Sequence, residues 1–219
     1  MKKLDMTQHY TLLLLNADKN IIREEHSFVL FVCIHQAINE GLLYFDGENK
    51  IYINKNIEPQ TGALKILVDY ISSFKPSDFR DVFERLHSNF DREKIYRVCN
   101  VIIDNLLDED YIQKSIVKKY FGTNIVFNCN QTIMSNIKND INKMIDINES
   151  NMDLIIPLLI LDKHNKIKNI FDKELTNKIH EYLKTIQHVE YIDLADKVLY
   201  KQKKIIDLIR NRKWLLKFN

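Results

Sequence analysis

Glycine, proline and cysteine are scarce in this chain of 219 residues, which holds four, three and three of them. Four well-separated glycines cannot assemble a G-x-G-x-x-G turn or a P-loop, so those backbone cradles for nucleotide phosphates are excluded. The same scarcity argues against a β fold built on many tight turns. No Gly-, Ser- or Pro-rich linker interrupts the chain, and a single domain over 1–219 is expected. Cys33, Cys99 and Cys129 are odd in number and far apart, offering neither a full disulfide set nor a CxxC clip. That usage fits a reducing, cytoplasmic setting. Long apolar runs are missing as well. The run over 154–161 has eight residues and contains Pro157, and the leucines over 12–15 number four, whereas a membrane span needs about 20. Those four leucines are also too short for the apolar region of a signal peptide. None of the seven histidines falls at H-x-x-x-H spacing, and no G-x-S-x-G elbow frames a serine. Nothing in the residues argues for an enzyme, a metal or a cofactor.

What is present is helical. Val29, Val32, Cys33, Gln36 and Ala37 mark a helix over 27–40, which Gly41 closes as a C-cap. Leu42-Leu43-Tyr44-Phe45 and Lys50-Ile51-Tyr52-Ile53 then flank Asp46-Gly47, a hairpin signal. A second copy of this plan follows. Ile95, Val98, Cys99, Ile102, Ile103 and Leu106 mark a helix, and a second hairpin is expected over 111–127 with its turn at Phe121-Gly122-Thr123. Thr61 is a candidate N-cap for a helix through Ile71, and Pro76 opens another through His87. Further helices are expected over 131–146, 152–163, 173–186 and 190–216. The predicted fold class is mainly α, one helical domain with two short β-hairpins. Cys33 and Cys99 read as small core residues.

The order of features resembles the Golgi phosphoprotein 3 family. The residues that carry the likeness are Leu12-Leu13-Leu14-Leu15, the helix end Asn39-Glu40-Gly41-Leu42-Leu43 with its hairpin, and Pro59-Gln60-Thr61-Gly62-Ala63-Leu64. Leu106-Leu107-Asp108-Glu109-Asp110-Tyr111-Ile112 and the stretch from Leu154 through Lys168-Asn169-Ile170-Phe171 continue it, so that it covers about residues 6–185. The resemblance implies a helical fold with small hairpins, no catalysis, and peripheral binding to the cytosolic face of membranes through phosphatidylinositol 4-phosphate, with eukaryotic members acting as adaptors. At the positions matching the family's headgroup arginines stand Leu30, Tyr96 and Cys99, and no aromatic occupies 18–23. Attraction to anionic lipid with little preference for one headgroup is therefore expected.

Charge is unevenly spread along the chain. Residues 1–110 carry 13 basic and 18 acidic side chains, net −5, and residues 111–219 carry 19 and 12, net +7, which sum to the overall +2. Arg92, Arg97, Lys118 and Lys119 are the candidate headgroup ligands, with Lys94 and Lys114 near them in sequence. The segment 186–219 reads as a basic amphipathic helical extension. Leu194, Val198, Ile205, Ile209 and Leu216 share one stripe, and Lys203, Lys204 and Arg210 lie opposite, with Trp214 and Phe218 near the end. Lys203, Lys204, Arg210 and Trp214 are the candidate membrane-surface residues. Solvated surface is the bland explanation of both clusters. A second function class is a winged-helix-like nucleic-acid binder using the basic helix–hairpin unit 92–128. The weak positive charge of the first such unit disfavours it as a DNA reader, whereas the second is basic; nucleic acid is not the expected partner.

Overall fold

The computed structural model describes residues 3–19, 26–45, 50–73, 92–119 and 122–186. The Asp46-Gly47 pair, the helices expected from Pro76 and over 190–216, and the candidates Lys203, Lys204, Arg210 and Trp214 lie outside these residues. Within them the chain is mainly helical, with two antiparallel sheets of two strands each. The order is α1 (Met6–Asp18), α2 (His26–Asn39), β1 (Leu43–Phe45), β2 (Ile51–Ile53), α3 (Gly62–Ser72), α4 (Arg92–Asp108), β3 (Ile112–Lys119), β4 (Gly122–Cys129), α5 (Gln131–Asp146), α6 (Met152–Lys163), α7 (Ile167–Ile170) and α8 (Lys173–Ile186).

Two helices form the heart of the core. Every residue of α1 from Met6 to Leu15 is buried, and so is every residue of α6 from Leu154 to Leu161, Pro157 included. A helix covered on all sides needs no apolar stripe, which is why α1 shows no periodicity in the sequence. Its start is fixed locally: the Asp5 carboxylate accepts from the Gln8 N–H at 2.8 Å, and the Gln8 side chain accepts from the Asp5 N–H at 3.1 Å. This reciprocal capping box satisfies two of the donors that a helix start leaves open. The two core helices run parallel. Lys3, just before α1, pairs with Asp153 at the start of α6 at 3.1 Å, and Asp18 at the end of α1 pairs with Lys166 just after α6 at 2.5 Å. α2 runs the other way along α1, since the Gln36 side chain near its C-terminal end accepts from the Thr7 N–H at 3.2 Å.

The helix–hairpin plan occurs twice, with the same hydrogen bonds. Gly41 takes φ +72°, its N–H donates to Ile38 O, and the Leu42 N–H donates to Ala37 O. Asp110 takes φ +56°, its N–H donates to Leu107 O, and the Tyr111 N–H donates to Leu106 O. Both are Schellman ends, which use the last free carbonyls of the helix. Leu42 and Tyr111 are buried and lead straight into a strand, and the residue after each return strand, Asn54 or Asn130, donates its N–H to the Leu42 or Tyr111 carbonyl at 2.9 Å.

The hairpins differ in length. β1 and β2 pair in register from Leu43↔Ile53 to Phe45↔Ile51. β3 and β4 pair from Ile112↔Cys129 to Lys119↔Gly122. Gly122 and Thr123, expected in the second turn, are therefore strand residues: eight consecutive pairs carry the ladder up to Gly122 and leave only 120 and 121 between the strands. The helices expected over 131–146, 152–163 and 173–186 are α5, α6 and α8 at those bounds. Thr61 caps α3, its hydroxyl accepting from the Leu64 N–H at 3.3 Å. Cys33 and Cys99 are buried in the core.

Candidate functional site: a hairpin that outruns the body

β4 lies along α1. The Cys129 thiol donates to Leu12 O at 3.5 Å, and the Phe127 N–H donates to Lys19 O at 2.8 Å. Moving from Cys129 to Phe127 therefore follows α1 towards its C-terminal end. The five residues from Phe127 back to Gly122 continue past that end by about 17 Å at the rise of a strand. Tyr111, Ile112 and Phe127 at the base of the hairpin are buried against the body. Beyond them burial stops: Ile116 is 69% exposed, and Val117 and Ile125 are each 43% exposed.

Register decides which side chains share a face. Residues directly opposite in an antiparallel pair point the same way, and so does every second residue along a strand. Ile116 stands opposite Ile125, with the Lys114↔Phe127 and Lys118↔Thr123 pairs on either side. Lys114, Ile116, Lys118 and Ile125 thus form one exposed face on which an aliphatic pair sits between two ammonium groups. Exposed aliphatic side chains paired across a solvated ladder gain nothing from the core, so the folding of the body does not call for them.

The other sequence candidates fall as follows. Arg97 is exposed on α4, with Tyr96 half-buried beside it. Arg92 opens α4 and Lys119 ends β3, their side chains being outside the described set. Of the four candidate headgroup ligands, Lys118 alone lies on the aliphatic face. Helical periodicity does not single out Ile116 or Ile125. The signal that finds them is an Ile-Val step flanked by lysines in a hairpin strand, which becomes informative only once the base of the hairpin is anchored.

Burial holds several titratable groups in their neutral forms. Burial pushes the His35 ring down to about 4 and lowers His9, whose Nδ1 lies 3.0 Å from Asp5 O, so both are neutral at pH 7. Burial raises the thiols, Cys99 to about 12 and Cys129 to about 11, with Cys33 also well above the ordinary range. Such thiols hold their protons and are poor nucleophiles. Among the described residues no group of three His, Cys, Asp or Glu side chains is placed to hold a metal ion, and no helix is long and apolar enough to cross a membrane. No protein-family model matches the chain, and no curated protein matches it.

Proposed function

We propose that the protein is a non-catalytic peripheral membrane protein, Golgi phosphoprotein 3-like, that meets anionic bilayers through the β3–β4 hairpin. The observation that carries this reading is the exposed face of Lys114, Ile116, Lys118 and Ile125, which continues past the C-terminal end of α1. A bilayer surface offers what such a face lacks in water: a boundary where aliphatic groups leave water while ammonium groups stay among phosphates. Lysine acts on phosphate as a point charge rather than a planar fork, so the face favours negative surface in general over one headgroup such as phosphatidylinositol 4-phosphate. The resemblance to the Golgi phosphoprotein 3 family adds to this reading an adaptor role on the cytosolic face of a membrane. The nucleic-acid alternative draws on the same lysines, but an aliphatic pair between them is of no use on a phosphate backbone that is bound through charge.

Flotation with phosphatidylcholine vesicles, with and without phosphatidylserine, tests the reading. Wild-type protein floats with the anionic vesicles at low salt and is released as salt rises, because screening shortens the reach of each lysine. The double variant Ile116→Ser/Ile125→Ser loses roughly 2 kcal/mol of apolar transfer, about a thirty-fold weaker partition. Wild-type protein that ignores anionic vesicles, yet binds duplex DNA with a steep salt dependence, would move the function to the second class.

A further inference from the structure

The β3–β4 hairpin has an edge as well as a face. At the base of its ladder the Asn130 N–H donates to Tyr111 O, which makes every second pair from there, Gln113↔Asn128 to Lys119↔Gly122, a hydrogen-bonded one. The Phe127 N–H agrees, since it turns away from β3 and donates to Lys19 O. The backbone groups of Ile125 and Thr123 therefore also point away from β3, along the outer edge of β4. Both residues are exposed, and among the described residues none bonds to their backbone from that side. Natural edge strands are guarded by charge, proline or a bulge. β4 has no charged residue, no proline and eight unbroken pairs, whereas β3 carries Lys114, Lys118 and Lys119. The unguarded edge is that of β4.

We propose that this edge is a docking site for an extended peptide, which adds as a third strand antiparallel to β4 with an apolar residue beside Ile125 and a glutamate beside Thr123. The body already makes one contact of this kind, the carbonyl of Lys19 on the Phe127 N–H, and so closes the edge at its base. Room is left for about five residues, opposite 122–126. Two of them exchange both backbone bonds, one with Ile125 and one with Thr123, and their side chains share the face of Ile116 and Ile125. Antiparallel order puts the residue at Ile125 first and the one at Thr123 two places later. Beside Ile125 an aliphatic side chain covers surface that is 43% exposed. Across the small Thr123 stands Lys118, two strand spacings or about 10 Å from the added strand, a gap that lysine and glutamate side chains close between them. The order required is apolar, any residue, acidic. Main-chain bonds supply the affinity, and the two side chains supply the choice. This inference does not rest on the membrane reading, because the face meets lipid through side chains while the edge acts through backbone and needs no lipid.

The probe is the synthetic peptide acetyl-Thr-Thr-Val-Thr-Glu-Thr-amide, added at millimolar concentration to the full chain without vesicles. In protein alone the Thr123 and Ile125 amides are expected to exchange freely with solvent in NMR spectra, while the ladder-bonded Asn124 amide is protected. Saturating peptide should slow exchange at Thr123 and Ile125 by at least about tenfold. N-methylation of the peptide's Val and Glu nitrogens, which face β4, should abolish this, whereas N-methylation of the Thr between them, whose nitrogen points away, should not. Lysine in place of the glutamate should weaken binding about threefold. Thr123→Pro removes an edge donor without breaking a ladder bond and should abolish the protection of Ile125, with a matching thermal melt showing that it folds. If dilute protein alone protects Thr123 and Ile125 as it does Asn124, the edge is filled within the chain and the proposal is overturned. Protection that appears only as protein concentration rises gives the edge to a second copy, which also overturns it. Equal binding of the two methylated peptides would show that the contact is not an added strand, with the same result.

Discussion

The unit α2–β1–β2 and the unit α4–β3–β4 share a helix end, a buried leading residue and a closing hydrogen bond, yet their described strand pairs are covered differently. In the first, the three described pairs lie against the core, with Leu43 and Ile51 buried and Tyr44 stacked on Tyr52 at a centroid distance of 5.6 Å. The second continues to eight pairs, and its outer part is wet on both faces. An isolated two-stranded ribbon is marginal in water, so the additional pairs do not stabilise the body. The outer pairs of β3–β4 lie outside the core, which is the ground for the proposed membrane contact.

The largest effect expected from this contrast is on stability. Ile51→Ala in the short hairpin removes a side chain that is 3% exposed and should cost about 3 kcal/mol in denaturant unfolding. Ile116→Ala in the long one should stay within about 0.5 kcal/mol of wild type. Equal losses would show that the outer ribbon belongs to the core after all.

A pH effect of similar size separates the two helices. His35 on α2 is buried, and counting back equally from Gly41 and Asp110 places the exposed Asp104 at the corresponding position of α4. An unfolded histidine titrates near 6.5, while folded His35 is held down to about 4. The unfolded chain therefore takes up the proton first. Stability present above pH 6.5 is lost as pH falls towards 4, by roughly 3 kcal/mol in total. Lowered His9 adds to that loss, and Glu40, raised chiefly by burial, opposes it. In His35→Gln, the slope of unfolding free energy against pH between 6.5 and 4 should flatten. An unchanged slope would remove His35 from the account.

The smallest effects lie at the left-handed ends of α2 and α4, and they have opposite signs. A Cβ on Gly41 would come within 3.2 Å of the Ile57 Cδ1, at a φ of +72° that disfavours any side chain. Gly41→Ala should therefore destabilise by about 1–2 kcal/mol. Asp110 already bears that strain at φ +56°, so Asp110→Gly should stabilise by up to about 1 kcal/mol, read as a rise in thermal midpoint. The same sign in both variants would mean that the two ends are not equivalent.

Much of this fold is legible in the sequence where a helix has one wet side, as α5 and α8 have, or clear end signals. α6 is buried all round from Leu154 to Leu161, yet it lies at its expected bounds, as α5 does, because caps such as Asn130 and Asn151 punctuate them. α1 is illegible by periodicity for the opposite reason, since burial on every side erases the stripe. The scarcity of glycine is also misleading about helix ends. Asp110, Asn148 and Asn165 take the left-handed position that glycine takes after α2, and each is followed by the same paired bonds back into its helix. The candidate site is legible only in half. Lys118 is visible as charge in a hairpin, but Ile116 and Ile125 resemble core residues until the register and the length of the ladder put them in solvent. The packing of α6 on α1 is not visible at all, because nothing in the sequence marks two segments so far apart as neighbours.

That packing also sets a schedule. The ion pair between Asp18 and Lys166 joins residues 148 apart in the chain, and the helices it closes are the first and one of the last described. At a synthesis rate of about 15 residues per second, α1 waits on the order of 10 s for its partner. Throughout that interval Leu12, Leu13, Leu14 and Leu15 have no α6 to cover them. Such late, long-range closure makes for slow folding, and a leucine-rich helix left uncovered for seconds is a natural client for a chaperone that binds nascent chains.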